Sequence, residues 1–198
     1  PANIEELARG IDVIVDGTDN FETRYLLNDI AMRDGIPWIY GGCIGAEGQS
    51  MTILPGETPC FRCLMPEPPP AGATPTCDTE GLLGPIVHIA ASIEAMEAIK
   101  ILSGNRSAIS RSLAVFDLWE NRLRHVDVSK LREQSDCPCC KYHEYLWLSG
   151  NRTSHSAILC GRNAVQLSPM SGVQVSLETM AQKLASLGEI QQNRYLLR

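Results

Sequence analysis

The sequence predicts an α/β fold with a mixed, Rossmann-like sheet, a four-cysteine zinc site and a small α+β appendage at its carboxyl end. Three observations carry that expectation. A β-branched run at 11–16 is followed by a helical stripe and a second apolar run, which is a β-α-β pattern. Two Cys-x-x-Cys pairs, Cys60 with Cys63 and Cys137 with Cys140, stand 73 residues apart, from 64 to 136. The composition changes after Gly150.

Ile11 to Asp16 reads as a strand, and its apolar residues on both sides suggest a parallel strand buried on both faces. Gly17-Thr18-Asp19-Asn20 is a turn, with Asp19 or Asn20 as the cap of a helix over about 21–33. Tyr25, Leu26, Leu27, Ile30 and Ala31 form its apolar stripe, and Gly35 with Pro37 ends it. Pro37 to Gly41 is the next strand. Ile44 to Leu54 reads as a strand pair around Ala46-Glu47-Gly48. Met65 to Gly81, rich in Pro, Thr and Gly, is expected to be an exposed, mobile loop, and it holds Cys77.

Gly84 to Ser103 is the longest helix, with Pro85 at its first position and Gly104 as its stop. It is apolar or small nearly all round, so it is expected to be buried in the sheet core or at a subunit interface. His88 and Ser92 lie four apart and read as an interior hydrogen bond, with a catalytic histidine as the alternative. Leu113 to Leu118 and Arg122 to Val128 form a hairpin around Trp119-Glu120-Asn121. In the tail, Ala157 to Leu167 is strand-like, Leu177 to Leu187 helical and Ile190 to Leu197 strand-like, a β-α-β appendage. The division expected is 1–149 for the main domain and 150–198 for the extension.

The chain has 198 residues, 44% hydrophobic and 20% charged, with a formal net charge of −6 and no basic block. That argues against nucleic acid or an anionic membrane as partner. No apolar run approaches the roughly 20 residues that span a bilayer. Pro1 to Gly10 show no signal-peptide pattern, so a cytoplasmic setting is expected. In such a setting, paired Cys-x-x-Cys motifs point to Zn²⁺ held by four thiolates rather than to disulfides. A dithiol redox protein is the competing reading. Cys139 reads as a bystander between ligands, and Cys43 and Cys160 as core thiols.

Asp19 lies at a strand's carboxyl end, where ligands of open α/β sheets bind. A carboxylate there can hold Mg²⁺ against nucleotide phosphates, although helix capping explains the same residues. The motifs run in the order Asp16-Gly17-Thr18-Asp19-Asn20, Arg24, Asn28, Gly41-Gly42, Cys60-Phe61-Arg62-Cys63, Gly81-Leu82-Leu83-Gly84-Pro85, Glu94-Ala95-Met96-Glu97-Ala98-Ile99-Lys100 and Cys137-Pro138-Cys139-Cys140. Over about residues 10–145 this series closely resembles the ThiF/MoeB/HesA family, bacterial relatives of the ubiquitin-activating enzymes that adenylate sulfur-carrier proteins.

The resemblance implies the sheet of the ubiquitin-activating-enzyme type, ATP and Mg²⁺ at Asp19 with Asn20 beside it, and structural zinc on Cys60, Cys63, Cys137 and Cys140. It implies a ubiquitin-like sulfur-carrier protein as substrate, with a sulfur donor protein as a further partner and a homodimer as the assembly. Cys77 matches the loop cysteine that forms an acyl persulfide or disulfide with the carrier in sulfur-transferring members. An inert surface thiol is the plainer reading of Cys77. The family's glycine-rich phosphate loop lies upstream of the Asp19 motif, and no G-x-G-x-x-G precedes residue 10. The expectation is a carboxyl-terminal part of such an enzyme that cannot adenylate a carrier alone. The rival expectation is a catalytically dead, zinc-stapled module that docks a carrier or a second copy.

Overall fold

The computed structural model describes residues 3–70, 77–152, 156–159, 164–167, 176–193 and 197. Its main sheet has five strands in the order β1-β2-β3-β4-β5. Strand β1 (Ile14–Val15) pairs parallel with β2 (Trp38–Ile44) across helix α2 (Phe21–Asp34), after a short first helix α1 (Ile4–Leu7). The other pairings are antiparallel: β2 with β3 (Glu47–Ile53), β3 with β4 (Ser112–Asp117), and β4 with β5 (Arg122–Asp127). The sheet is therefore mixed, with one β-α-β unit leading into an antiparallel meander.

The first strand is shorter and more exposed than its composition suggests. Ile14 N–H donates to Pro37 O at 2.9 Å and Asp16 N–H to Ile39 O at 3.0 Å, so the ladder is brief. Pro37 has no N–H, and Gly35 caps the helix just before it, so β2 offers no partner to residues 11–13. Among the described residues β1 has a neighbour on one side only, and Ile11 and Val15 are 38% and 48% exposed.

Helix α2 starts where the sequence places it. Asn20 Oδ1 accepts Thr23 N–H at 2.8 Å, a side-chain N-cap. Its buried side differs from the apolar stripe: Asn28 and Asp29 are fully buried beside Tyr25, Ile30 and Ala31, whereas Leu26 and Leu27 are half-buried.

The Gly41-Gly42 pair does not end β2. The strand runs to Ile44 and turns back through Gly45-Ala46, so one hairpin joins 38–44 to 47–53 instead of a strand pair within 44–54. Gly45 takes φ +56°, a turn conformation that disfavours a side chain.

Short helices α3 (Phe61–Leu64) and α4 (Cys77–Glu80) precede the long helix α5 (Gly84–Leu102). Pro85 sits in the first turn of α5. The α5 side against the sheet buries Ile86, Ala90, Glu94 and Glu97, so two carboxylates lie on its packed stripe. Thr52 Oγ1 donates to Glu97 Oε2 at 3.2 Å, and Ser110 N–H to the same oxygen at 2.9 Å. Large apolar residues point outward instead: Met96, Ile99 and Leu102 are 53%, 57% and 60% exposed. In this single chain the helix is thus half covered, and its packed side meets polar Thr52 of β3. His88 is exposed, and its interior hydrogen bond is not found: Ser92 Oγ donates to the His88 backbone carbonyl at 2.7 Å.

The β4–β5 hairpin turns as expected, with Asn121 at φ 52°. Helices α6 (Leu131–Gln134) and α7 (Pro138–Tyr142) follow. The main core gathers Trp38, Tyr40, Met51, Ile53, Tyr25, Phe61 and Trp147 together with the four motif cysteines. Phe61, inside the first cysteine pair, meets Tyr25, Trp38 and Tyr40 at ring-centroid distances of 5.3, 5.7 and 4.9 Å. No helix among the described residues is long and apolar enough to cross a membrane.

The chain divides into two compact units, Pro1–Thr153 with Leu159–Ala164, and Ser154–Ile158 with Val165–Arg198. The expected single strand Ala157–Leu167 is instead a pair, β6 (Ser156–Leu159) with β7 (Ala164–Leu167). Residues 160–163 between them, Cys160 included, lie outside the described residues. Helix α8 (Leu177–Leu184) is capped by Ser176, which accepts Thr179 N–H at 3.3 Å. Beyond it the described residues give one bridge, Gln192 with Leu197, in place of a strand.

Candidate functional site

The cysteine pairs meet in the core. Each knuckle begins in extended backbone at its first cysteine and turns into a short helix, so both sulfurs of a pair face one way. The Sγ–Sγ separations are 3.9 Å for Cys60–Cys63, 3.6 Å for Cys60–Cys137 and 3.5 Å for Cys63–Cys140. All four sulfurs lie within 4.8 Å of one another and all four residues are buried. A tetrahedral Zn²⁺ with bonds of about 2.3 Å has ligand–ligand edges of about 3.8 Å, which these distances match.

Without a cation such a cluster cannot ionise evenly. Hydrogen bonds from Cys140, Cys60 and Cys63 pull the Cys137 thiol far down, whereas Cys60 is pushed up by Cys137, Cys139 and the other sulfurs around it. A divalent ion offsets the repulsion among four buried thiolates. The residues present therefore suit a metal ion. A surface pocket of about 240 Å³, lined by Glu57, Ser129, Arg132, Glu133, Cys140 and Lys141, opens beside the cluster.

Helix α2 clamps both knuckles. Asn28 Oδ1 accepts Phe61 N–H at 2.9 Å, and Asn28 Nδ2 donates to Cys139 Sγ at 3.3 Å. Asp29 Oδ2 accepts Trp147 N–H at 2.8 Å and Leu148 N–H at 3.2 Å. Burial raises the Asp29 carboxyl, and those backbone N–H groups lower it. Cys139 is thus a bonded core residue rather than a bystander.

The second cluster lies at the carboxyl ends of β1 and β2. Asp16, 5% exposed, accepts Thr18 N–H at 2.9 Å and Thr18 Oγ1–H at 2.7 Å. Arg24 Nε donates to its other oxygen at 3.2 Å. Arg24 Nη2 donates to Thr18 O at 2.6 Å and Gly41 O at 3.0 Å. One guanidinium therefore ties the turn, β1 and β2 together. Asp19 stands exposed on that turn and accepts Asn20 Nδ2 at 3.3 Å. The Asn20 oxygen is engaged in the helix cap, which is the plainer of its two expected roles.

Glu94 completes this cluster from α5. Burial, then the Asp16 charge, pushes its carboxyl up to about 7, with Arg24 opposing. Asp16 and Glu94 stand in the motif series read from sequence, but that reading gave them no role. A signal existed: Glu94 falls on the stripe of Ile86 and Ala90, and it faces Gly41, whose missing side chain leaves it room.

Cys77 opens α4 and is half-buried, in a helical turn rather than in an open loop. Residues 71–76, the centre of the expected mobile segment, lie outside the described residues. Just after α4 the chain is tied to the hairpin tip: Gly45 N–H donates to Gly81 O and Leu83 N–H to Gly45 O, both at 3.0 Å. The Cys43 thiol, half-buried, is raised by burial and by Glu94, with Arg24 opposing and Cys77 adding a weaker rise.

Residues 1–139, which hold the strand-end cluster and three of the four clustered cysteines, match the ThiF family. This chain belongs to that family. Among ThiF-family relatives it is 40% identical over 197 residues to the sulfur carrier protein ThiS adenylyltransferase of Bacillus subtilis (strain 168), covering 98% of this chain and 57% of that protein. It is 40% identical over 139 residues to the SAMP-activating enzyme E1 of Haloferax volcanii, covering 70% of this chain and 50% of that enzyme. The chain thus spans about half the length of these relatives. Among solved structures it resembles E. coli MccB with ATP, with TM-score 0.53 and 16% identity over 71% of this chain and 42% of that one. At that identity the likeness concerns the fold.

Proposed function

We propose that this chain carries part of an ATP-dependent adenylyltransferase that activates the carboxyl-terminal Gly-Gly of a ubiquitin-like sulfur-carrier protein. The observation that carries the reading is the conjunction, within residues 1–140, of the ThiF-family match over 1–139, a four-sulfur cluster and a braced carboxylate turn at the strand ends.

In this reading residues 1–149 are the adenylation portion and 150–198 an extension. Zn²⁺ on Cys60, Cys63, Cys137 and Cys140 fixes the far ends of the domain. Asp19, held out on the turn that Arg24 and Asp16 brace, is the carboxylate for Mg²⁺ and the ATP phosphates. Bound Mg²⁺ neutralises phosphate charge during transfer. A carrier carboxylate oxygen attacks the α-phosphorus, the bond to the β-phosphate oxygen breaks, and pyrophosphate leaves. The chain's part is to hold both partners in line. The acyl-adenylate then yields its acyl group to sulfur, from a donor protein or through the Cys77 thiolate, with AMP as leaving group. A cytoplasmic homodimer fits the exposed apolar side of α5.

The family resemblance puts the phosphate loop upstream of the Asp19 motif, so the 198-residue chain alone is expected not to turn over. Carrier-dependent ATP–pyrophosphate exchange tests this. Exchange by a longer protein containing these residues, abolished by Asp19→Ala, supports the reading. Exchange unaffected by Asp19→Ala sinks the assignment of Asp19, and exchange by the 198 residues alone sinks their inactivity. A second reading, a zinc-stapled docking or dimerisation module, is favoured by the same uncovered α5 surface. It predicts dimerisation or carrier binding with no response to ATP·Mg²⁺ in a titration.

A further inference from the structure

We propose that Asn28 is the positioning residue of the four-cysteine site: one buried carboxamide sets both knuckles and decides which of the clustered sulfurs are ligands. The inference rests on the metal reading of Cys60, Cys63, Cys137 and Cys140.

Phe61 lies between Cys60 and Cys63, and Cys139 lies between Cys137 and Cys140. Asn28 reaches both, accepting Phe61 N–H at 2.9 Å and donating to Cys139 Sγ at 3.3 Å. The orientation of the amide follows from chemistry. A backbone N–H can only donate, so the group facing Phe61 must be the oxygen, and the NH₂ then faces sulfur. Asn28 and Cys139 are both 0% exposed, so no water substitutes for either bond.

Among the standard small side chains, a carboxamide is what offers a donor and an acceptor together at this length. An ionised aspartate keeps the acceptor and loses the donor. An alanine loses both.

The second knuckle reads Cys137-Pro138-Cys139-Cys140, so it offers three sulfurs where two are needed. Cys139 is buried in the same core as the other motif cysteines, yet its sulfur is not one of the four mutually close ones. Its bond to Asn28 keeps it turned toward α2 as an acceptor. Removing the donor frees a fifth thiol at the edge of the cluster and loosens the first knuckle through Phe61.

The same helix carries Arg24, four residues earlier, which braces the Asp19 turn. Residues four apart share a helix face. Metal site and strand-end turn are thus registered on one rigid element.

The test uses the 198-residue chain loaded with Zn²⁺ or Co²⁺. Chelator competition gives metal affinity, and the Co²⁺ thiolate absorption reports ligand number and geometry. Partners that orient metal ligands typically contribute about 10–100-fold in affinity. Asn28→Ala is expected to weaken binding within that range and to alter the Co²⁺ spectrum. Asn28→Asp, which keeps the Phe61 acceptor, provides the same readout if the alanine variant does not fold. Cys139→Ala combined with Asn28→Ala is expected to be non-additive, because the two share one bond. Ala31→Gly, a core change on the same helix, is expected to lower Tm while leaving affinity and spectrum unchanged.

Asparagine variants that hold metal within about twofold of the parent overturn the role of Asn28, as does an equal loss in Ala31→Gly. A parent chain that takes up no metal overturns the four-cysteine reading itself, which is a separate outcome.

Discussion

Gly41 and Glu94 share one space. A Cβ built on Gly41 would stand 1.8 Å from Glu94 Oε1 and 2.6 Å from its Cδ. The absent side chain in β2 is what admits a carboxyl from α5 into the strand ends. Gly41→Ala must therefore expel Glu94 from its pocket or push α5 off the sheet. Overpacking of this kind costs about 1–3 kcal/mol. The expected result is a lower Tm, with much of the loss recovered in a Gly41→Ala, Glu94→Ala double variant. An alanine variant as stable as the parent would refute the close packing.

Glu94 makes stability depend on pH in a definite direction. Its folded pKa, raised to about 7 by burial and then by Asp16, lies above the unfolded value of 4.5. The folded state thus binds the proton more tightly. The stabilising effect is fully present below about pH 4.5 and lost as pH rises through about 7. Glu94→Gln, which cannot ionise, is expected to gain on the parent between those limits, by at most a few kcal/mol. The quantity to measure is the stability difference between the two proteins at pH 5 and pH 8. The cysteines titrate in both and cancel. A difference that is flat, or that shrinks with pH, counts against a protonated buried Glu94.

Much of this site was legible in the sequence because it depends on local chemistry. Asn20 as a cap, Pro85 at a helix start and the β4–β5 turn follow from residue preferences at fixed positions. The cysteine pairs came together as their spacing suggested. What was misread depends on neighbours far away in sequence. Glu94 and Glu97 sit in an apolar run, and only the sheet face of Gly41, Ser50 and Thr52 explains why they are the buried stripe. Asn28 and Asp29 lie outside the apolar stripe expected for α2, yet they turn inward to backbone N–H groups and a sulfur contributed by 61, 139, 147 and 148. The strand at 11–16 failed for a similar reason: its apolar residues say nothing about Pro37 withholding a partner.

Loss of the metal is expected to loosen the core as a whole rather than one loop. Phe61 packs edge-on and tilted among Tyr25, Trp38 and Tyr40, while Cys60 and Cys63 on either side of it hold the cluster. The protein is expected to carry about one zinc per chain by elemental analysis. Cys63→Ser should abolish stoichiometric binding and lower Tm sharply, and chelation of the parent should do the same. Uptake is expected to fall as pH falls, because protons compete for the thiolates. A metal-free protein with reducible cysteine pairs would support the redox reading instead.

The sharpest electrostatic prediction concerns Arg24. Its side chain is 12% exposed and its partner Asp16 side chain 0%, so the pair is not a surface bridge. One guanidinium donates to Asp16, to Thr18 O and to Gly41 O, three acceptors on two strands and a turn. It also lies over the Tyr40 ring at 5.4 Å. Lysine keeps the charge but not the planar fork, so it cannot serve all three acceptors at once. Arg24→Lys is therefore expected to destabilise by about 1–3 kcal/mol, the cost of leaving buried acceptors unmet. Arg24→Ala, which leaves Asp16 buried and unpaired, should cost more, about 3–5 kcal/mol. Pairing it with Asp16→Asn should restore part of that loss. Denaturant unfolding of the four proteins gives the coupling energy directly. A coupling near zero would mean that the turn carrying Asp19 is held by something other than Arg24.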